Sequence, residues 1–184
     1  MLFTGKGDDG STYFFGSKER FGKDTPLVEA LGTLDELNSL LGLIRAELTT
    51  IATGGGPSSS AIVDEILAVQ QNLFIIQAEL AGADKHIEES KVKKMEQRIG
   101  EIEAKLPPIT TFFIPGANTE SAWLDFARTV ARRAERRVVA LNLEPKVPSK
   151  WTLAYLNRLS SLLYALARLL AQEAGGIEDK PSYT

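Results

Sequence analysis

Cysteine is absent and histidine occurs once, as His86. Disulfides, thiolate zinc sites and cysteine nucleophiles are therefore excluded, and neither a histidine cage around a metal nor a Ser-His-Asp triad is supported. His86 lies in Ala83-Asp84-Lys85-His86-Ile87, a turn or helix start, where a surface position is expected. Long apolar runs are also missing, so no stretch approaches a membrane span. The start, Met1-Leu2-Phe3-Thr4, lacks the basic and apolar regions of a secretory signal, and a soluble, cytoplasmic protein is expected. Nor is there an excess of positive charge. The formal charge of −3 disfavours non-specific binding to nucleic acid. What remains is a chain of 184 residues, 43% hydrophobic, which suits one domain with a real core.

Most of the chain carries a helical period. Leu27, Ala30, Leu31, Leu34, Leu37, Leu41 and Ile44 form one apolar side of a helix over 27–50, with Thr25-Pro26 as cap and first-turn proline. Asn38 falls within that stripe and should hydrogen-bond to something specific. Asp35, beside it, is either an ordinary surface acid or the partner of an arginine elsewhere. Thr53-Gly54-Gly55-Gly56-Pro57-Ser58-Ser59-Ser60 is a flexible loop rather than a domain boundary, since neither side has a core of its own. A second helix is expected over 61–81, facing inward through Ile62, Ile66, Val69, Leu73, Ile76 and Leu80. A third, over 87–106, is charged and faces inward through Val92, Met95, Ile99 and Ile102, and Pro107-Pro108 stops it. A fourth spans 119–142, before Pro145 and Pro148. A fifth, over 151–173, is rich in leucine and carries a polar stripe of Asn157, Ser161, Tyr164 and Arg168. The tail from Gly175 is expected to be disordered. Five helices with short to moderate connections make an all-α helical bundle, with residues 26–174 as its body and 1–25 as an extended arm.

The fourth helix is the most unusual. Five of the ten positions from Arg128 to Arg137 are arginine and none is lysine. At about 100° per residue, Trp123, Phe126, Ala127, Val130, Ala134, Val138 and Leu141 gather on one side. Arg128, Arg132 and Glu135 gather on the other, with Arg136 at their margin. Arg133 and Arg137 fall on the apolar side, where a charge is costly without a partner. Two readings stay open. One is a surface helix with weak intrahelical ion pairs. The other is a site for a polyphosphate, because guanidinium is a planar fork of donors matched to phosphate, with Glu135 orienting it or accepting from a ligand.

Two further stretches bear on that choice. Thr4-Gly5-Lys6-Gly7-Asp8-Asp9-Gly10-Ser11-Thr12 holds three glycines among nine residues. It is either a frayed terminus or a loop that turns its N–H groups toward an anion, with Lys6 and Thr12 adding side-chain donors. It is not the usual phosphate loop, because G-x-x-x-x-G-K-[ST] is absent. Ile109-Thr110-Thr111-Phe112-Phe113-Ile114-Pro115-Gly116-Ala117 is an extended apolar connector. Its phenylalanines either fill the core or wall a large apolar ligand.

Taken together, these segments resemble one family. The arm from Thr4 to Thr12, Lys23-Asp24, Val28-Glu29-Ala30-Leu31-Gly32-Thr33-Leu34-Asp35-Glu36-Leu37-Asn38-Ser39, Phe112-Phe113-Ile114-Pro115-Gly116, the run Ala127 to Arg136, and Tyr155-Leu156-Asn157-Arg158-Leu159-Ser160 match, in order, the propanediol-utilisation type of ATP:cob(I)alamin adenosyltransferase. The resemblance implies a homotrimer with active sites between subunits. It also implies transfer of the 5′-deoxyadenosyl group of ATP to the cobalt of cob(I)alamin, giving adenosylcobalamin and tripolyphosphate, with a divalent cation such as Mg2+ present. By the same resemblance, Thr4, Gly5, Lys6, Gly7, Thr12 and Lys23 hold ATP from the arm, and Arg132, Arg133, Glu135, Arg136 and Asn157 complete that site. Asp35 and Arg128 correspond to an intersubunit ion pair near the corrinoid, and Phe112 to an aromatic crowding the lower face of the corrin ring. Arg128, Arg132, Glu135 and Asp35 are the implied catalytic set. A flavoprotein reductase and an adenosylcobalamin-dependent enzyme are the implied partners, and no protein side chain need be a nucleophile.

Three positions depart from the family pattern. Gly5 stands where Lys or Arg is usual, with Lys displaced to position 6, Ala117 replaces a second glycine, and Ser161 stands where Asp is frequent. Gly5 and Ser161 motivate one alternative, an ATP- or corrinoid-binding sensor or carrier of the same fold without turnover; a structural trimer with an arginine-lined interface is another.

Overall fold

The structure is a computed structural model that describes residues 3–14, 19–53, 59–141, 148–176 and 179–183. Five helices account for most of it: α1 (Pro26–Thr53), α2 (Ser59–Leu80), α3 (Glu89–Glu103), α4 (Thr119–Val139) and α5 (Lys150–Glu173). All five expected helices are present. The glycine-rich part of the loop after α1, and the turn containing Pro145, lie outside the described residues. Two short strands, β1 (Ser11–Thr12) and β2 (Phe21–Gly22), pair antiparallel in the arm. Sequence reading did not foresee them, because two residues are too few for any alternation to register.

Local chemistry explains the helix ends. At α1 the Thr25 carbonyl accepts from Glu29 N (3.0 Å), while its hydroxyl turns back to donate to the Gly22 carbonyl (2.9 Å). The expected side-chain cap is thus spent on tying the helix to β2. At α4, Asn118 Oδ1 accepts from Ser121 N (2.8 Å) and Ser121 Oγ accepts from Asn118 N (3.2 Å), a reciprocal capping box. Asn118 Nδ2 also donates to the Leu170 carbonyl (3.0 Å), which fixes the start of α4 against the end of α5. The start of α5 is capped by Ser149 and by a buried carboxylate. Glu79 at the end of α2 accepts from Ser149 N (2.7 Å) and from the Thr152 hydroxyl. A negative group there complements the helix dipole.

The core forms where the apolar stripes meet. Leu34, Leu37, Leu41 and Ile44 of α1 are buried, as are Ile62, Ile66, Leu73 and Ile76 of α2, Val92, Met95 and Ile102 of α3, Ala127, Val130, Ala134 and Val138 of α4, and Leu156, Leu159, Leu163 and Leu166 of α5. α4 packs on α5 and on α1, α1 packs on α2, and α3 packs on α5. α2 and α3 are joined through side chains, Arg98 to Glu65 (3.1 Å) and Lys91 to Asn72. A cavity of about 590 Å³ opens between them over Tyr155 and Leu162.

Three expectations need correction. Phe126, placed on the apolar side by the wheel, is 51% exposed, because the stripe is narrower than half a turn. Phe112 is 78% exposed and fills no core. Asn38 is buried, but its bond is made by its main-chain carbonyl, which accepts from Gln70 Nε2 (3.0 Å). Among the described residues Asn38 Oδ1 has no partner. His86 is exposed, as expected.

Candidate functional site

Among the described residues of the arm, a glycine turn precedes the β1–β2 pair. Asp8 N donates to the Gly5 carbonyl and Gly10 N to the Gly7 carbonyl, both at 3.2 Å, and Lys23 N donates to the Gly10 carbonyl (2.9 Å). Gly5 and Gly10 have φ of 67° and 79°, the left-handed region in which a side chain is strained. The glycine at position 5, which departs from the family pattern, is thus demanded by the turn this chain makes. Lys6 is exposed. Lys23 Nζ donates to the Gly7 carbonyl (2.7 Å) and so pins the loop from the return strand. Asp9 accepts from Ser11 N (2.9 Å) and Ser11 Oγ (2.7 Å), and from Arg20 (3.2 Å). Ser11's hydroxyl and amide, aided by Arg20, hold the Asp9 carboxyl down at about 2.

On α4 the five arginines divide into two groups. Arg133 is bound to Glu36, and Arg137 to Glu29 (3.3 Å), both on α1. These are the two that the wheel puts on the apolar side, and α1 supplies the partners that such charges require. Arg128 donates to Asp125 (2.9 Å) one turn back and lies over the Tyr164 ring at 5.7 Å. Arg132 and Arg136 differ. Both are exposed, and among the described residues neither guanidinium has a hydrogen-bond or ion-pair partner. They stand at i and i+4, so two like charges face the same way one turn apart, an arrangement that costs a helix about 0.2–0.5 kcal/mol. Glu135 does not neutralise them; its Oε1 accepts from Asn157 Nδ2 on α5 (2.8 Å). Asn157 Oδ1 accepts in turn from Arg158 (2.9 Å), which is paired with Glu96 on α3 (3.0 Å). The chain Glu135–Asn157–Arg158–Glu96 thus runs across three helices beside the two open arginines.

The connector before α4 is anchored on one side. The Arg168 guanidinium lies 5.0 Å over the Phe113 ring and donates to the Pro107 carbonyl (3.3 Å). Ile114 N donates to the Asp179 carbonyl (2.8 Å), which brings the C-terminal tail against the connector. Phe113 is therefore held inward while its neighbour Phe112 projects outward. Ala117 packs near Gly176, and Ser161 is exposed on α5.

These arrangements leave Lys6 on the arm and Arg132 and Arg136 on α4 as exposed cations, and Phe112 as an outward aromatic in the connector that precedes α4. A model of the cobalamin adenosyltransferase family matches residues 2–170. The chain belongs to this family. The corrinoid adenosyltransferase of Bacillus subtilis (strain 168) is 39% identical over 178 residues, 95% of this chain and 88% of that protein. The corrinoid adenosyltransferase PduO of Citrobacter freundii is 37% identical over 91% of this chain, which covers 49% of that longer protein. Among solved structures, a phenylalanine-to-histidine variant of the PduO-type ATP:corrinoid adenosyltransferase from Lactobacillus reuteri, complexed with cobalamin and ATP, superposes with a TM-score of 0.88 at 27% identity, covering 100% of this chain and 97% of that one.

Within one chain of this adenosyltransferase, the expected site residues are brought together only in part. Glu135 and Asn157 meet directly. Asp35 is exposed on α1 without an ion-pair partner among the described residues, and Arg128 is paired to Asp125 instead. The large cavity between α2 and α3 lies away from all of them. Its walls carry the half-buried Glu65–Arg98 pair (3.1 Å), where burial pushes the Glu65 carboxyl up. Sequence reading missed Glu29, Glu36, Asp125, Arg158 and Arg20. The acids Glu29 and Glu36 carried a usable signal: they sit seven residues apart, two turns of one face, opposite two arginines spaced by four.

Proposed function

We propose that this family member transfers the 5′-deoxyadenosyl group of ATP to cob(I)alamin at sites shared between subunits of a homotrimer. The observation that carries this reading is the pair Arg132 and Arg136, exposed one turn apart with no acid paired to either among the described residues, the intervening Glu135 being bound to Asn157. The Co(I) electron pair forms the Co–C5′ bond, the C5′–O bond breaks, and its electrons leave on tripolyphosphate. Charge therefore builds on the leaving oxygens, where fixed guanidiniums stabilise it most. Each such charge-assisted bond is worth about 1.5–3 kcal/mol.

In this proposal Thr4, Gly5, Lys6, Gly7, Thr12 and Lys23 hold the phosphates and ribose from the arm of one subunit. Arg132, Arg136, Glu135 and Asn157 complete the site from the next. Arg133 enters only by sharing a guanidinium already bound to Glu36. The outward Phe112 takes the lower face of the corrin ring. Displacing the axial ligand makes Co(II) easier to reduce, and a flavoprotein reductase supplies the electron. Asp35 and Arg128 pair across the subunit boundary, for which Arg128 must exchange or share Asp125. Leu43 on α1 and Phe126 and Val139 on α4 are apolar side chains left uncovered, surface of the kind that assembly into a trimer would bury.

Mg2+ would enter with the nucleotide, bound through its phosphates. No helix is long and apolar enough to cross a membrane. We assign the enzyme to the cytoplasm, alongside its reductase and the adenosylcobalamin-dependent enzyme that receives the product.

The test is an anaerobic spectrophotometric assay with ATP and chemically reduced cobalamin. A light-sensitive adenosylcobalamin spectrum is expected. ATP binding by calorimetry without any product would replace this reading with that of a binding protein.

A further inference from the structure

The nucleotide reading uses Lys6, Thr12 and Lys23 but leaves Arg20 without a role. Yet Arg20 is the most connected side chain of the arm. From the residue before β2 its Nε donates to Ser11 Oγ (2.6 Å). Its Nη2 donates to the Lys6 carbonyl, to Asp9 Oδ1 (3.2 Å) and to the Ser11 carbonyl (3.3 Å). One planar group thus bridges both ends of the glycine turn and the acid at its tip. A lysine ammonium, a point charge without a fork, cannot reproduce that geometry. Of the three N–H bonds that close the turn, the one from Gly10 to Gly7 lies wholly inside the Lys6–Ser11 span that Arg20 clasps, and those from Asp8 to Gly5 and from Lys23 to Gly10 each have one partner in it.

We infer that Arg20 is a positioning residue that holds the arm in its nucleotide-ready shape before ATP arrives. The inference rests on the reading of the arm as the ATP loop. Its physical basis is preorganisation. A loop with three glycines loses much backbone freedom when it closes on a ligand. If the closed loop is only a fraction of the ATP-free population, apparent affinity falls by that fraction. Arg20 spends its donors on main-chain and side-chain oxygens of the loop, which fixes the turn while the exposed Lys6 ammonium stays available for the phosphates. Asp9 completes the clasp by accepting from Ser11 and Arg20 together.

The experiment compares the full-length enzyme with Arg20→Met, Arg20→Lys and Asp9→Asn in two assays. The first is amide hydrogen exchange without nucleotide. Faster exchange at Asp8, Gly10 and Lys23 is expected in Arg20→Met, with bundle amides unchanged. The second is steady-state kinetics with ATP varied against saturating reduced cobalamin. KM for ATP should rise about tenfold in Arg20→Met while kcat at saturating ATP and KM for the corrinoid stay within about twofold. Arg20→Lys should recover little, and Asp9→Asn should shift both readouts the same way by less. Unchanged exchange in the arm overturns the inference, as does an unchanged ATP KM. A fall in kcat with KM intact also overturns it, because Arg20 would then act on the transition state. If the unsubstituted enzyme forms no adenosylcobalamin, the functional reading fails, and the exchange data still decide whether Arg20 holds the arm.

Discussion

The two edges of α4 carry the same residue type and use it for opposite purposes. Along the edge facing α1, Arg133 and Arg137 meet Glu36 and Glu29 and fasten one helix to its neighbour. Along the open edge, Arg132 and Arg136 meet no acid, and the one acid between them in sequence, Glu135, is bound to Asn157. The paired edge meets each of its charges with an acid of α1, although the buried Arg133 Nε has no hydrogen-bond partner among the described residues. The open edge carries a small like-charge penalty that only an anion relieves. Composition alone does not separate these roles. The identity of the facing helix does, because acids line α1 and an amide, Asn157, stands toward Glu135 on α5.

The largest expected effect breaks this comparison from the open side. Arg132→Ala should lower kcat for adenosyl transfer by about 10²–10³-fold, the usual cost of removing one preorganised donor from developing negative charge. The bundle melting temperature should barely change, since no partner is left stranded. A loss confined to stability, with kcat intact, would make Arg132 an ordinary surface residue. Next comes Phe112→Ala. Because Phe112 is 78% exposed, its removal costs little packing. Conversion starting from Co(II) should fall about tenfold or more, while conversion from pre-reduced Co(I) changes by less than about threefold, a difference of barrier near 1 kcal/mol. Parallel losses would reduce Phe112 to a contact for the corrin ring.

Asn157→Ala sharpens the comparison from within. It frees Glu135 beside Arg132 and Arg136 and removes the link to Arg158. A freed carboxylate competes with phosphate for the guanidiniums, so KM for ATP should rise about tenfold, equivalent to one charge-assisted bond. The double variant with Glu135→Gln should then recover part of that loss. Failure to recover any of it would mean that Asn157 touches the nucleotide itself rather than restraining the acid.

Much of this was legible in the sequence, for definite reasons. The five helices followed from apolar periodicity, and the costly placement of Arg133 and Arg137 followed from the wheel, because both depend only on spacing along one helix. What the wheel could not supply was the partner, since Glu29 and Glu36 are about a hundred residues away in a different helix. The short β1–β2 pair escaped notice for another reason: its stability lies in Arg20, Asp9 and Ser11, a tertiary clasp with no periodic signature. Asp35 and Arg128 illustrate a third limit. Their implied pairing belongs to an assembly, and within one chain Arg128 turns to Asp125. Gly5 shows the converse. Against the family pattern it looked like a lost phosphate donor, and its positive φ makes it a structural requirement of this chain's turn.

The smallest effect tests the paired edge. Arg137 and Glu29 are 53% and 54% exposed, so their ion pair is screened by water and is worth at most about 1 kcal/mol. For a domain of this size, 1 kcal/mol corresponds to a shift of about 2–4 °C in Tm. Arg137→Ala should therefore lower Tm by no more than that, with the loss shrinking as salt is added, and leave kcat and the ATP KM within about twofold. The ratio of kcat between Arg132→Ala and Arg137→Ala is then the direct measure of how different the two edges are. A ratio near one would mean that the charge of α4 acts as a diffuse field. A ratio of a hundred or more would mean that it acts through one placed guanidinium, which is what the absence of a partner at Arg132 implies.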